Sequence, residues 1–254
     1  MNRTSAPADS IEALAVGAAE AVSIRRFGET GVIILNRPEA RNALRRADRI
    51  RFADLVAQAN ADPELHVLIV TGTGGHFCAG VDIKEPAAPG FVRPNPGEAL
   101  RRFSKLSIAA VDGVCIGGGL EIALSCSFIF ASDRAQFADF HAKRGILPAW
   151  GMSVLLPAAV GVRRAREMTA TGRVVEASDA LTWGLANRVV PAEELFQQCL
   201  DVAMTTASFD TRAVEKNLDL IDKNARCDCK SAFEREAATA FKFKQARQTK
   251  GAEQ

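Results

Sequence analysis

The run Gly117-Gly118-Gly119-Leu120-Glu121 constrains this chain more than any other stretch. It follows an apolar segment at residues 108–116, so a buried strand ends in three glycines and then a carboxylate within one helical turn. Glycine lets backbone come close to a ligand and adopts angles that a Cβ forbids. The first N–H groups of a helix have no intrahelical partner and lie at its positive dipole end. Aimed into a pocket, they favour negative charge on a ligand oxygen. Glu121 then stands one turn away, placed for proton transfer. A glycine triplet alone also serves tight strand-to-helix packing, so the segments around it decide between the two readings.

The remaining pattern is that of an α/β chain. Residues 21–27 and 32–35 read as two strands of a hairpin, joined by Gly28-Glu29-Thr30-Gly31. Residues 42–61 read as a helix, with Phe52, Leu55, Val56 and Ala59 at i, i+3, i+4 and i+7 and arginines on the outer face. Residues 65–71 and 108–112 are continuous apolar runs, as in strands covered on both faces, and 128–132 is a further strand. Strands alternating with helices argue for a right-handed βαβ core. Beyond residue 160 helices dominate, at 162–171, 178–183 and 193–207, with Ser178 in an N-cap position. Residues 86–97 hold four prolines and two glycines and read as a loop, either plain surface or a flap over a pocket. Residues 1–20 read as a loose leader.

Composition excludes several classes. Net charge is +2 over 254 residues, so no overall field recruits nucleic acid or a membrane surface. No apolar run approaches the roughly 20 residues that span a bilayer. Asp9 and Glu12 in an N-terminus without a basic-then-apolar block argue against a secretory signal. The six cysteines show no metal pattern: Cys227-Asp228-Cys229 is too tight for usual zinc spacing. They read as buried, reduced thiols of a cytoplasmic protein. Residues 223–250 carry eight Lys/Arg against three acids, which reads as a solvated helical face or as contacts to ligand phosphates.

Two further motifs make the first one specific. His76-Phe77-Cys78-Ala79-Gly80-Val81-Asp82-Ile83-Lys84-Glu85 follows the strand-like 67–72, and Leu35-Asn36-Arg37-Pro38-Glu39-Ala40-Arg41-Asn42-Ala43-Leu44 precedes both. In this order, with Gln136-Phe137-Ala138 and Ala180-Leu181-Thr182-Trp183-Gly184-Leu185-Ala186 further on, they resemble the crotonase (enoyl-CoA hydratase/isomerase) superfamily over about residues 22–191. The resemblance implies an α/β fold with a ββα spiral core at residues 21–195. It also implies a C-terminal helical region at 196–254 that builds a homotrimer or a dimer of trimers. It implies an enzyme of fatty-acid metabolism that binds an acyl-CoA thioester and stabilises its enolate. No cofactor is needed beyond coenzyme A as part of the substrate, and no metal.

By that match, the backbone N–H groups of Val81 and Gly118 form an oxyanion hole, and Glu121 is the catalytic glutamate that handles the water. Coenzyme A lies against the backbone near Ala79, Asp82 and Ile83, with Arg41 and Ala43 on its pantetheine–phosphate side. The Asp82 side chain is better suited to capping local backbone. The chain also departs from the family pattern. Hydratases carry a second glutamate where this chain has His141, two residues after Asp139. Histidine exchanges protons near neutral pH, but Glu plus imidazole does not carry the charge of two glutamates sharing a proton. Pro148-Ala149-Trp150-Gly151-Met152 replaces a glycine-rich segment, so Trp150 either reshapes the acyl pocket or is a core aromatic. Leu106-Ser107 replaces a Lys-Pro pair, and the family's C-terminal signature is not recognisable in residues 240–247. The leading expectation is an enoyl-CoA hydratase with Glu121 and His141 as proton carriers. Isomerisation, thioester hydrolysis and decarboxylation are the alternatives, with a catalytically weak CoA-binding relative behind them.

Overall fold

The computed structural model describes residues 20–85 and 95–225. The leader, most of the proline-rich stretch at 86–97, nearly all of the basic tail and the Cys227/Cys229 pair lie outside these. The chain divides into two compact units, with the break between Ala207 and Ser208.

The first unit is built on two sheets. The hairpin β1 (Val22–Phe27) and β2 (Thr30–Leu35) opens a six-stranded sheet. It continues through β3 (Val67–Gly72), β5 (Leu106–Val111), β7 (Phe128–Ser132) and β10 (Arg188–Val190), all parallel to β2. A smaller sheet runs β4 (His76–Cys78), β6 (Val114–Ile116), β8 (Gln136–Ala138) and β9 (Val175–Glu176). Each long strand β3, β5 and β7 thus passes into a short strand of the second sheet before a helix begins. This is the repeated ββα winding that the family resemblance implies. The interior strands are mostly apolar, and all six residues of each of β2, β3 and β5 are buried. That is what coverage on both faces demands.

Helices pack around this frame: α1 (Arg46–Ala61), α2 (Pro96–Arg101), α3 (Gly118–Ser125), α4 (Met152–Val160), α5 (Val162–Thr171), α6 (Ala177–Trp183) and α7 (Leu195–Ala207). The predicted stripe of α1, Phe52, Leu55, Val56 and Ala59, is buried in the core beside Phe77 and Leu120. In the second unit α8 (Thr211–Asn224) starts at Asp210, whose carboxylate accepts the Ala213 N–H at 3.2 Å.

Of the boundaries that differ from the sequence reading, three have a local cause. Helix α1 starts at Arg46, not at residue 42, because Leu44 bridges to Val81: its N–H bonds the Gly80 carbonyl at 2.7 Å, and its carbonyl accepts the Asp82 N–H at 3.0 Å. Pro96 and Gly97 lie in a helix rather than a loop. Asn95 caps it by accepting the Glu98 N–H at 2.8 Å, and proline at the first position loses no hydrogen bond. Ser178 lies inside α6 and caps nothing, since the pairing of β9 with β8 ends at Glu176 and the helix begins at the next residue.

Candidate active site

Neighbouring strands β4, β6 and β8 run parallel, with Cys78 beside Cys115 and Cys115 beside Phe137. Their carboxyl ends therefore lie side by side, where parallel sheets generally present ligands. From these ends emerge three segments: Ala79-Gly80-Val81, Gly117-Gly118-Gly119, and Asp139-Phe140-His141. They border a pocket of about 110 Å³, lined among others by Val81, Gly118, Glu121, His141 and Trp150. Ala79 and Ile83 also line it, whereas Arg41, Ala43 and Asp82 do not.

The first two segments contribute backbone. In the bridge to Leu44, the bonding groups are the Gly80 carbonyl and the Asp82 N–H. A parallel bridge of this form turns the intervening Val81 N–H to the other side of the strand. Gly118 is the first residue of α3, so its N–H has no intrahelical acceptor. The two turns touch: a Cβ on Gly80, which has φ +91°, would lie 2.8 Å from the Gly118 nitrogen. A Cβ on Gly119 would lie 2.0 Å from the Cys78 carbonyl oxygen. Close packing alone therefore requires glycine at positions 80 and 119.

Groups from the Arg37–Ala43 segment hold the first turn. The Arg41 carbonyl accepts the Ala79 N–H at 2.9 Å. The Arg37 guanidinium donates to the Ala43 carbonyl at 2.8 Å and to Asp82 Oδ2 at 2.9 Å, while Asp82 Oδ1 accepts the Lys84 N–H at 3.0 Å. The Arg37 hydrogen bond holds the Asp82 carboxyl below its usual range. Asp82 thus caps local backbone with its side chain.

The third segment and α3 contribute side chains. Glu121 is 1% exposed, and its Oε1 accepts the N–H groups of Trp150 at 2.7 Å and Met152 at 3.1 Å. Oε2 lies 3.5 Å from His141 Nε2, wider than a direct hydrogen bond. The other imidazole nitrogen, Nδ1, is 2.7 Å from Asp139 Oδ1, which also accepts the His141 N–H at 3.1 Å. Asp139 Oδ2 accepts the Thr169 hydroxyl of α5 at 2.7 Å, and Asp139 is fully buried. Burial opposes charge on the imidazole, but the Asp139 hydrogen bond, followed by the Glu121 carboxylate, outweighs it and pushes the His141 pKa up to about 9. Burial likewise works against charge on Asp139, and the His141 and Thr169 hydrogen bonds overcome it to lower that pKa.

Trp150 is both pocket wall and core. Its ring is 7% exposed and packs over Gly118, where a Cβ would approach it to 2.8 Å. Its N–H holds Glu121, and its carbonyl accepts from Arg101, whose guanidinium also donates to Ser125 Oγ at 3.1 Å.

The sequence reading named Glu121, His141 and Trp150 but gave no role to Asp139, Thr169 or Arg101. Asp139 carried a signal in its Asp-x-His spacing; the other two carried none, since they reach the site from separate helices. Cys78, Cys115, Cys126 and Cys199 are buried free thiols, and burial raises Cys78 to about 12. No described helix is long and apolar enough to cross a membrane.

Comparison with known proteins places the fold in a family. Residues 28–253 match the enoyl-CoA hydratase/isomerase family model. A probable enoyl-CoA hydratase of Mycobacterium tuberculosis (echA8) is 33% identical over 210 residues, covering 80% of this chain and 82% of the relative. A short-chain-enoyl-CoA hydratase of Clostridium acetobutylicum is 33% identical, covering 85% and 87%. The crystal structure of an enoyl-CoA hydratase from Bacillus anthracis superposes with TM-score 0.82 at 29% identity, over 87% of this chain and 90% of that one. With its paired glycine turns, its strand-end pocket and its ββα winding, the chain belongs to the enoyl-CoA hydratase/isomerase family of crotonase-fold enzymes.

Proposed function

We propose that the protein adds water to, or removes it from, the C2–C3 bond of an acyl-CoA thioester. The observation that carries this is the meeting of Glu121 Oε2 and His141 Nε2 at 3.5 Å beside two backbone turns in contact. The thioester oxygen lies between the Val81 and Gly118 N–H groups, which stabilise the charge it gains as an enolate; each such donor is worth roughly 3 kcal/mol of barrier. Glu121 takes a proton from water as its oxygen bonds C3. The C2–C3 electron pair moves toward the thioester, and His141 delivers the proton that forms the C2–H bond. Ala79, Asp82 and Ile83 carry coenzyme A along their backbone, with Arg41 and Ala43 flanking it. Trp150 closes the acyl end, which favours short acyl groups. The working assembly is a homotrimer or a dimer of trimers, to be checked by light scattering.

The test is a panel of enoyl-, hydroxyacyl- and β-ketoacyl-CoA thioesters followed by mass spectrometry, with a crystal soaked in a slow thioester. The expected result is gain or loss of one water on an enoyl/hydroxyacyl pair, and a carbonyl oxygen within about 3 Å of both N–H groups. Turnover confined to other thioesters, or a carbonyl pointing elsewhere, overturns the reading.

A further inference from the structure

The geometry points to Asp139 as the positioning residue that converts Glu121 and His141 into a single-proton relay. This inference rests on the acid–base roles proposed for those two residues and goes beyond them. Asp139 grips His141 at two points, the ring Nδ1 at 2.7 Å and the backbone N–H at 3.1 Å, and is itself tied to Thr169 on α5 at 2.7 Å. An imidazole so held presents Nε2 to Glu121, and its tautomer is set by the carboxylate behind it. The charged groups in contact with the ring are Asp139, from the end of β8, and Glu121, from α3; Arg144 lines the same pocket.

Proton counting shows what Asp139 adds. Glu121, His141 and Asp139 sharing one proton carry a net charge of −1, the same as two glutamates sharing one. Glu121 and His141 with one proton would be neutral. In hydration His141 gives its Nε2 proton to C2 while Glu121 receives one from water, so the cluster stays at −1 throughout. The reset is transfer of that proton from Glu121 Oε2 to His141 Nε2, which takes place once the 3.5 Å between them closes to hydrogen-bond reach or a water bridges it. A buried cluster that never changes net charge avoids the cost of creating a new charge in low dielectric. The substitution of histidine for a second glutamate is therefore compensated two residues upstream.

The chain has three histidines, so nitrogen-15 labelling of histidine resolves His141. In the wild type its imidazole should stay protonated to about pH 9. Asp139→Asn should lower that midpoint by more than about one unit, toward the ordinary value near 6.5. The basic limb of the kcat profile should move down with it. Asp139→Glu should restore part of both, and Thr169→Val, which spares the carboxylate but frees one oxygen, should shift both less. Thr169→Val also serves if Asp139→Asn does not fold. An unchanged imidazole titration in these variants overturns the proposal, as does a titration that moves while the kcat profile stays. The titration needs no substrate, so it decides the role of Asp139 even if the hydration reading itself fails.

Discussion

The two halves of the pocket are built in different ways. One half is backbone: the turns at Gly80-Val81 and Gly117-Gly118, where the groups proposed to act are amides. The other half is side chain: Glu121 held by the N–H groups of Trp150 and Met152, Asp139 by Thr169, and His141 by Asp139 two residues before it. Backbone chemistry leaves a mark in the sequence, because amides can be crowded against a ligand and against each other only where Cβ atoms are missing. Side-chain chemistry leaves a weaker mark, because a carboxylate or imidazole takes its role from what surrounds it.

Four experiments press on that difference. The largest effect is expected from Glu121→Gln. Its amide oxygen can still accept the Trp150 and Met152 N–H groups, so the fold should hold, while kcat for hydration falls by about 10³ through loss of the base. Retention of wild-type kcat would remove Glu121 from the chemistry. Next is Gly80→Ala, which puts a methyl 2.8 Å from the Gly118 nitrogen at a φ of +91°. The two turns must part, and kcat should drop by about 10² with a stability loss of about 1 kcal/mol. Unaltered turnover would show that the contact of the turns has no bearing on catalysis.

A smaller effect is expected at the seam between the halves. Trp150→Ala removes a ring that is both wall and core, costing about 3 kcal/mol of stability. The ratio of kcat/KM for longer over shorter acyl chains should rise about tenfold. A stable variant with the wild-type chain-length preference would make Trp150 scaffold only. The smallest effect is on stability against pH. The folded pKa of His141 lies above its unfolded value near 6.5, so its contribution is complete below about pH 6.5 and is lost as pH rises through about 9. The melting temperature should fall by a few degrees across that window, and less so in His141→Gln. Equal slopes in the two proteins would show that the imidazole titrates normally.

The frame was largely readable. Continuous apolar runs located β3, β5 and β7, and the helical stripe located α1. The boundaries that escaped have tertiary causes. Residues 42–45 read as the start of the helix that carries the Phe52 stripe, yet Leu44 is used up in pairing with Val81 from another turn. Ser178 is a good cap by type, yet β9 pairs up to Glu176 and leaves Ser178 inside the helix. At the site, the motifs of the family resemblance pointed to Val81, Gly118 and Glu121, and the structure brings all three to one pocket. His141 stood out as a departure from the family pattern, and the charge it seemed to unbalance is restored by Asp139.

The sequence by itself determined the alternation of strands and helices, the two glycine turns and the order in which they occur, because apolar periodicity and missing Cβ atoms are local properties. Only the tertiary structure decided how the site is charged. The Asp139–His141–Glu121 array and the Trp150 wall depend on distances between groups from β8, α3, α5 and the start of α4. Such distances, and the buried surroundings that set protonation, exist only once those elements are packed together.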